Sequence, residues 1–569
     1  MLRPPLTPDS PGRAAGPASA QVGYRSSIFP HLSLVSEARL DDRAGLASAL
    51  GLRLRGLTDG ELILAAYGKW GADCPRHLLG DYAFVIRDEA AGALFGARDH
   101  IGARPFFYSF EGGRFRFAGD IPTLLDEGVS DALDEDLAAY ALSVMAPLPQ
   151  DRTLLKAVRR LPPGHGLTVK DGGLRVWRYW SPEDSPPVRL KDDAAYRDAF
   201  LALHRQAVED RLPDGDVGLG VHVSGGLDCS GIAAVANTLR RARGEAAPVG
   251  FCWQVLPDGA APRDGEQAWI DAVRRHLDID LHAPQPTGAD LLDLLRRDGS
   301  RHPDAGNLFH EGAVQRQAQA LGVRVILSGW GGDEAVSFNG RGLYPQLLRE
   351  GRIGALADLA RAFGQGAPRF ILGRSVLPML KAVLPRGNGR RPDSLIDPGF
   401  LRRSSPPRPP RYRNTAVRDC QMDLYHDGHI TERLEDWAIH GRRHGVEYRY
   451  PLLDRRVMEF AYGLPVDQFR RGRWNRWLMR NAMATLLPAE VAWNPSKDEP
   501  VRIERLTPTL TAAFAAIGRE LDQREAPPSR AVYLDMPRLR RALDTYGENR
   551  PTSPRPWPIR TALQLLDLE

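Results

Sequence analysis

The sequence predicts two domains of different class, an α+β sandwich followed by an α/β domain built on a parallel sheet. Three observations carry this. The chain has 569 residues, more than one hydrophobic core organises. From about residue 21 to 185, short stretches alternate apolar and polar residues between glycine turns. From 190 onward, continuous apolar runs alternate with helical periodicity.

In the first region the strands are Asp81-Tyr-Ala-Phe-Val-Ile-Arg87, Ala93-Leu-Phe-Gly-Ala-Arg98, Pro105-Phe-Phe-Tyr108 and Arg114-Phe-Arg-Phe-Ala118. Glu111-Gly-Gly113 forms a turn between the last two, and a helix is expected over 59–69. Residues 1–20, rich in Pro, Ala, Gly and Ser, read as a flexible N-terminus. Glu183-Asp-Ser-Pro-Pro-Val188 reads as a linker. Beyond it, the runs at 217–223, 249–253 and 323–327 have the character of buried parallel strands. The Pro- and Arg-rich stretch 385–413 reads as a flexible surface insertion, and the remainder to 569 as mostly helical.

Composition narrows the function. Hydrophobic residues make up 43% and charged residues 26%, as in an ordinary globular protein. With 76 Lys+Arg against 71 Asp+Glu, the net charge of +5 is too dilute to argue for nucleic acid. Cys74, Cys229, Cys252 and Cys420 are far apart, which suggests reduced, mostly buried thiols rather than a zinc site or disulfide framework. No run of 18 apolar residues occurs, the best stretch at 370–384 being broken by Arg374 and Lys381. The opening residues carry no apolar signal-peptide core. A cytoplasmic protein without membrane association is expected.

The most informative segment runs from 217 to 232. An apolar strand enters Ser224-Gly225-Gly226-Leu227-Asp228-Cys229-Ser230, and a helix follows. Strand, glycine turn and helix N-terminus make an anion site: glycines admit close backbone approach, and unpaired N–H groups and the helix dipole face outward. The lysine of a Walker loop is missing. Asp228 suits phosphate only through Mg²⁺, whose preferred ligands are carboxylate and phosphate oxygens. A bare glycine pair would be no more than a capped turn; the whole string behind a buried strand is more specific. A second string, Leu327-Ser328-Gly329-Trp330-Gly331-Gly332-Asp333-Glu334, also follows a strand. Ligands gather at the carboxyl ends of parallel strands, so Asp228 and Asp333 can converge on one Mg²⁺.

The first string resembles the PP-loop ATP pyrophosphatase domain of the asparagine synthetase family, whose members form an acyl-adenylate and pass the acyl group to nitrogen. The resemblance extends to Glu447-Tyr-Arg-Tyr-Pro-Leu-Leu-Asp454 and Trp493-Asn-Pro-Ser-Lys497. It implies nucleotide contacts at Val223, Ser224, Gly225, Gly226, Leu227, Asp228, Cys229, Ser230, Trp253, Ser328 and Gly329. In the related β-lactam synthetases a Tyr–Glu pair is the base and a Lys stabilises developing charge. By that resemblance Glu447 is the base with Tyr425 or Tyr412 beside it, and Lys497 is the stabiliser. Alone, Glu447 and Lys497 would be ordinary surface groups.

The first region is similar to the glutamine amidotransferase domain of the same family through Leu79-Gly-Asp-Tyr-Ala-Phe84, Ala97-Arg-Asp-His-Ile-Gly-Ala-Arg-Pro-Phe106 and Leu161-Pro-Pro-Gly-His165. This implies an Ntn-hydrolase-like αββα sandwich. That domain uses an N-terminal cysteine, whereas residue 2 is Leu2 and the first cysteine is Cys74. Where the family carries N-G-E-x-Y-N stands Glu37-Ala-Arg-Leu-Asp-Asp42. A degenerate domain that makes no ammonia is expected, so the nucleophile becomes an amine of the substrate. The string from Ser328 to Gly342 looks most like the lasso peptide cyclases, which implies ATP and Mg²⁺, a precursor peptide, a leader peptidase and a leader-recognition protein. A β-lactam synthetase-like enzyme, an ammonia-dependent asparagine synthetase and a non-catalytic scaffold are the alternatives.

Overall fold

The computed structural model describes residues 22–25, 29–215, 217–254, 265–304, 306, 308–384, 389–410, 412, 414–494, 501–547 and 556–568. Residues 1–20 and Lys497 lie outside them.

The strand alternation read in the first region sorts its side chains onto two faces. Strands β1 (Val22–Arg25), β2 (Leu32–Leu40), β3 (Gly80–Asp88), β4 (Ala93–Arg98), β8 (His165–Lys170) and β9 (Gly173–Arg178) form one antiparallel sheet in the order β1-β2-β3-β4-β8-β9. Strands β5 (Phe107–Glu111), β6 (Arg114–Ala118) and β7 (Arg159–Arg160) form a second, ordered β6-β5-β7. Along β3, Tyr82, Phe84 and Ile86 pack on helix α1 (Asp59–Trp70), which starts in a Thr58–Glu61 capping box. Ala83 and Val85 point the other way, against Phe106, Tyr108 and Leu161. Phe107 faces Ile121 and Leu124 of helix α2 (Ile121–Asp126) on the far side. Helix, sheet, sheet, helix: the αββα sandwich.

The second region holds a five-stranded parallel sheet of β10 (Gly218–His222), β11 (Val249–Phe251), β12 (Leu281–His282), β13 (Val323–Leu327) and β14 (Glu447–Arg449). Its order is β12-β11-β10-β13-β14. The chain steps outward from β10 to β12, then returns to the other side of β10 as β13. The strand order therefore reverses between β10 and β13, where a parallel sheet opens a crevice at its carboxyl edge.

The stretch 385–413 departs from expectation. Leu395 and Phe400 are buried, Ile396 pairs with Leu534, and Asp397 caps a short helix, Pro398–Arg403. Averaged composition hid three apolar residues that find a core. All four cysteines are free thiols, and Cys74, Cys252 and Cys420 are buried. Among the described residues no helix is long and apolar enough to cross a membrane.

Candidate functional site

Both glycine strings leave the sheet at the crevice and touch. Gly225 sits at φ +65, and a Cβ there would come within 2.9 Å of the Trp269 side chain. Helix α3 (Leu227–Ala242) begins at Gly226 with no side-chain cap, so its first N–H groups face the crevice. A Cβ on Gly329 would meet the Cys229 nitrogen at 2.5 Å, and one on Gly332 the Asp228 carboxylate carbon at 2.8 Å. Glycine is what lets the second string lie on the first.

The cleft so formed has a volume of about 200 Å³. Val223, Ser224, Gly225, Gly226, Asp228, Cys229, Trp253, Ser328, Gly329 and Asp333 line it. Leu227 and Ser230 do not; both are buried within α3, where Leu227 adds only its backbone to the open helix start. Trp253 supplies an aromatic wall. Its indole N–H donates to Glu311 (2.7 Å), and its ring stacks on His310 with centroids 5.6 Å apart. Glu311 also accepts from Tyr448 and bonds to His222. Burial alone would raise its pKa, but these partners hold it below the usual carboxylate range.

Asp228 and Asp333 converge on one cation, the Arg476 guanidinium. Its contact with Asp228 is 3.5 Å, and it pairs closely with Asp333. Arg476 itself holds a left-handed backbone, φ 55, at the start of the helix Trp477–Met483. Two carboxylates meeting on a positive group have the donor chemistry Mg²⁺ wants. Among the described residues no group of three or more His, Cys, Asp or Glu is arranged to hold a metal. Such an ion would draw its other ligands from phosphate and water. Sequence reasoning missed Arg476, as it missed Glu266, Trp269 and Arg433 on the cleft wall, because none belongs to a string with a fixed offset from the glycines.

The expected base pair is not assembled. Glu447 bonds to Arg104 (2.5 Å) and Arg449 (3.1 Å), on a seam between the two domains. Burial would raise its pKa, but those arginines hold it at about 2, which makes it a weak base in this arrangement. Tyr425 is buried and donates its hydroxyl to the His100 carbonyl (2.8 Å). Neither lines the cleft. Tyr412, the other tyrosine considered, donates to Asp427 (2.6 Å). Asp427 bonds to His429 (2.5 Å), and His429 to Glu334 (3.0 Å) on the cleft wall. Among the described residues, a hydrogen-bonded chain connects Tyr412 to the cleft.

In the first domain the residues standing in place of N-G-E-x-Y-N are tied up in charge pairs. Arg39 bridges Asp41 and Asp81, Glu37 meets Arg104 and Arg442, and Arg211 reaches Asp41 (3.3 Å) and Asp454 (2.6 Å). Cys74 is fully buried, which pushes its thiol well above the usual range and leaves it inert.

Residues 199–567 match the family described as Asparagine synthase, and 41–180 the Glutamine amidotransferase domain. A Bacillus subtilis protein named asparagine synthetase [glutamine-hydrolyzing] 3 is 35% identical over 189 residues, 33% of this chain and 30% of that one. That alignment spans less than a third of the relative's length. A putative asparagine synthetase of Mycobacterium tuberculosis is 27% identical over 534 residues, 87% of this chain and 77% of that one. Asparagine synthetase B of Escherichia coli is 24% identical over 454 residues, 77% and 63% of the two chains.

Proposed function

Because the chain belongs to the asparagine synthase family, a family of ATP-dependent ligases, we propose that it closes a macrolactam in a precursor peptide. An Asp or Glu side-chain carboxylate of the peptide attacks the α-phosphorus of ATP, pyrophosphate leaves, and an acyl-adenylate results. The peptide's N-terminal amine then adds to the acyl carbon, AMP leaves with the C–O bond electrons, and the amine gives up its proton. Mg²⁺ would be held by Asp228 and Asp333 and would neutralise the phosphate charge. The glycine loop and the open start of α3 receive phosphate oxygens, and Trp253 offers a face to the adenine.

The observation that carries the ligase reading is the meeting of Asp228 and Asp333 on one guanidinium beside an uncapped helix start. Two features favour a substrate amine over ammonia. The charge pairs around Arg39, Asp41 and Asp81 fill the region where amidotransferase contacts are expected. Trp330, a bulky residue, lines the cleft, and in this reading it faces the acyl group. Lys497 keeps its role as charge stabiliser in this proposal. Glu447 would have to be released from Arg104 to act as base. A leader peptidase and a leader-recognition protein would deliver the trimmed peptide in the cytoplasm.

A second reading, an asparagine synthetase-like ligase using free ammonia, is favoured by the amidotransferase match and the relatives' names. ATP–pyrophosphate exchange separates the two. Exchange that depends on a precursor peptide supports the macrolactam reading; exchange driven by free aspartate replaces it. Release of ADP and phosphate would remove both.

A further inference from the structure

A second cavity, of about 400 Å³, lies behind the nucleotide cleft. It has about twice the volume of the nucleotide cleft and falls within the roughly 300–1000 Å³ typical of small-molecule sites. Its walls come from residues 145–154 of the first domain, from helix α4 (His429–Arg443), and from the C-terminal helix α5 (Pro556–Leu566). Much of the lining is apolar, through Leu142, Met145, Leu148, Leu154 and Trp557.

Two residues line both cavities, Trp330 and Arg433. The Arg433 guanidinium carbon sits 3.5 Å from the centroid of the Trp330 ring and 5.3 Å from that of Trp437. The other arginines of the second cavity have carboxylate partners: Arg160 with Glu435, Arg391 with Asp393, Arg560 with Asp304. Arg433 has none at ion-pair distance among the described residues, and its buried Nε finds no hydrogen-bond acceptor. Glu334 and Asp436 lie near enough to favour its charge, but burial outweighs them and lowers its pKa to about 10. An unpaired buried cation is expensive, and a guanidinium stacked on an indole keeps its planar edge free for bidentate capture of a carboxylate.

We propose that Arg433, stacked on Trp330, receives the carboxylate that is to be adenylated, and that the cavity behind it holds the body of a peptide bearing that carboxylate. This rests on the adenylating reading of the cleft. A carboxylate at Arg433 is at the wall of the nucleotide cleft, while whatever carries it extends into the second cavity. Free aspartate would leave that space empty. An apolar-faced peptide fills it.

The test uses the full-length protein with magnesium and a non-hydrolysable ATP analogue. The probes are pooled short peptides rich in Leu, Phe and Ala, each with one Glu, and a matching pool with Gln instead. The wild type should retain Glu peptides over their Gln counterparts by about 10–100-fold, the worth of a charge-assisted pair. R433Q should abolish that preference, and R433K should restore part of it. L154W, which fills the cavity, should lose peptides of both pools. L154W, whose site lines only the second cavity, should bind the ATP analogue like the wild type. No Glu preference in the wild type, or a preference that survives R433Q, overturns the proposal. Peptides retained through Arg433 without AMP and pyrophosphate formation from ATP would sink the ligase reading and leave this site standing.

Discussion

The seam between the domains and the nucleotide cleft are both dense in charge, yet they are built oppositely. In the seam each charge is matched. Asp41 and Asp81 face Arg39 and Arg211, Glu37 and Glu447 face Arg104, and Asp454 is held by Arg211 and Arg456. These groups are nearly all inaccessible to water, and a matched buried network leaves no place for a charged ligand. In the cleft Asp228 and Asp333 both meet the guanidinium of Arg476, and Arg433 stands on an indole ring with no carboxylate at ion-pair distance among the described residues. The first arrangement satisfies itself and locks domain to domain. The second lines an open cleft, where a metal–triphosphate with an anionic substrate would meet it.

If that contrast is right, removing a carboxylate should have opposite consequences in the two places. The largest effect is expected in the cleft. D228N or D333N removes a metal ligand that meets several kcal/mol of developing charge, so ATP–pyrophosphate exchange should fall about 10³-fold. The thermal midpoint should barely change, because Arg476 retains one partner. A large loss of stability with exchange intact would place these aspartates with the seam instead. Next comes E447Q, which removes the closer of the two buried carboxylates on Arg104 and the carboxylate partner of Arg449. It should lower unfolding free energy by about 3–5 kcal/mol, as breaking a buried pair does, measured by chemical denaturation. Below its melting temperature the pH profile of macrolactam formation should match the wild type. A shifted acid limb would instead restore Glu447 as the base.

The cleft was far more legible in the sequence than the seam, for a physical reason. A phosphate-binding loop is local: glycines, an uncapped helix start and a carboxylate at fixed offsets must be contiguous, so 224–228 and 328–333 announce themselves. The alternation along β3 likewise gave both faces of the sandwich. Arg476, Arg433 and the Tyr412–Asp427–His429–Glu334 chain are assembled from distant segments, and no spacing rule connects them. Glu447 shows the opposite error. Its motif is local and readable, but its partner Arg104 lies 343 residues away in the other domain. Strand β14 escaped notice because three residues are too few to show a period. The buried part of 385–413 escaped because proline and arginine dominate the average around Leu395 and Phe400.

The smallest expected effect tests where the cleft's own internal order ends. Burial alone would depress the His429 pKa, but hydrogen bonds to Asp427 and Glu334 raise it to about 9. A group whose pKa rises on folding contributes stability that is fully present below its unfolded value, about 6.5. That contribution is lost as pH climbs through the folded value. Between pH 6.5 and 9.5 the wild type should therefore lose about 1–3 kcal/mol of unfolding free energy, read from the denaturant midpoint at each pH. H429Q cannot titrate and should give a flatter curve over that window. Parallel curves would mean that the imidazole is not held charged between its carboxylates, and that this wall of the cleft resembles neither the matched seam nor the open metal site.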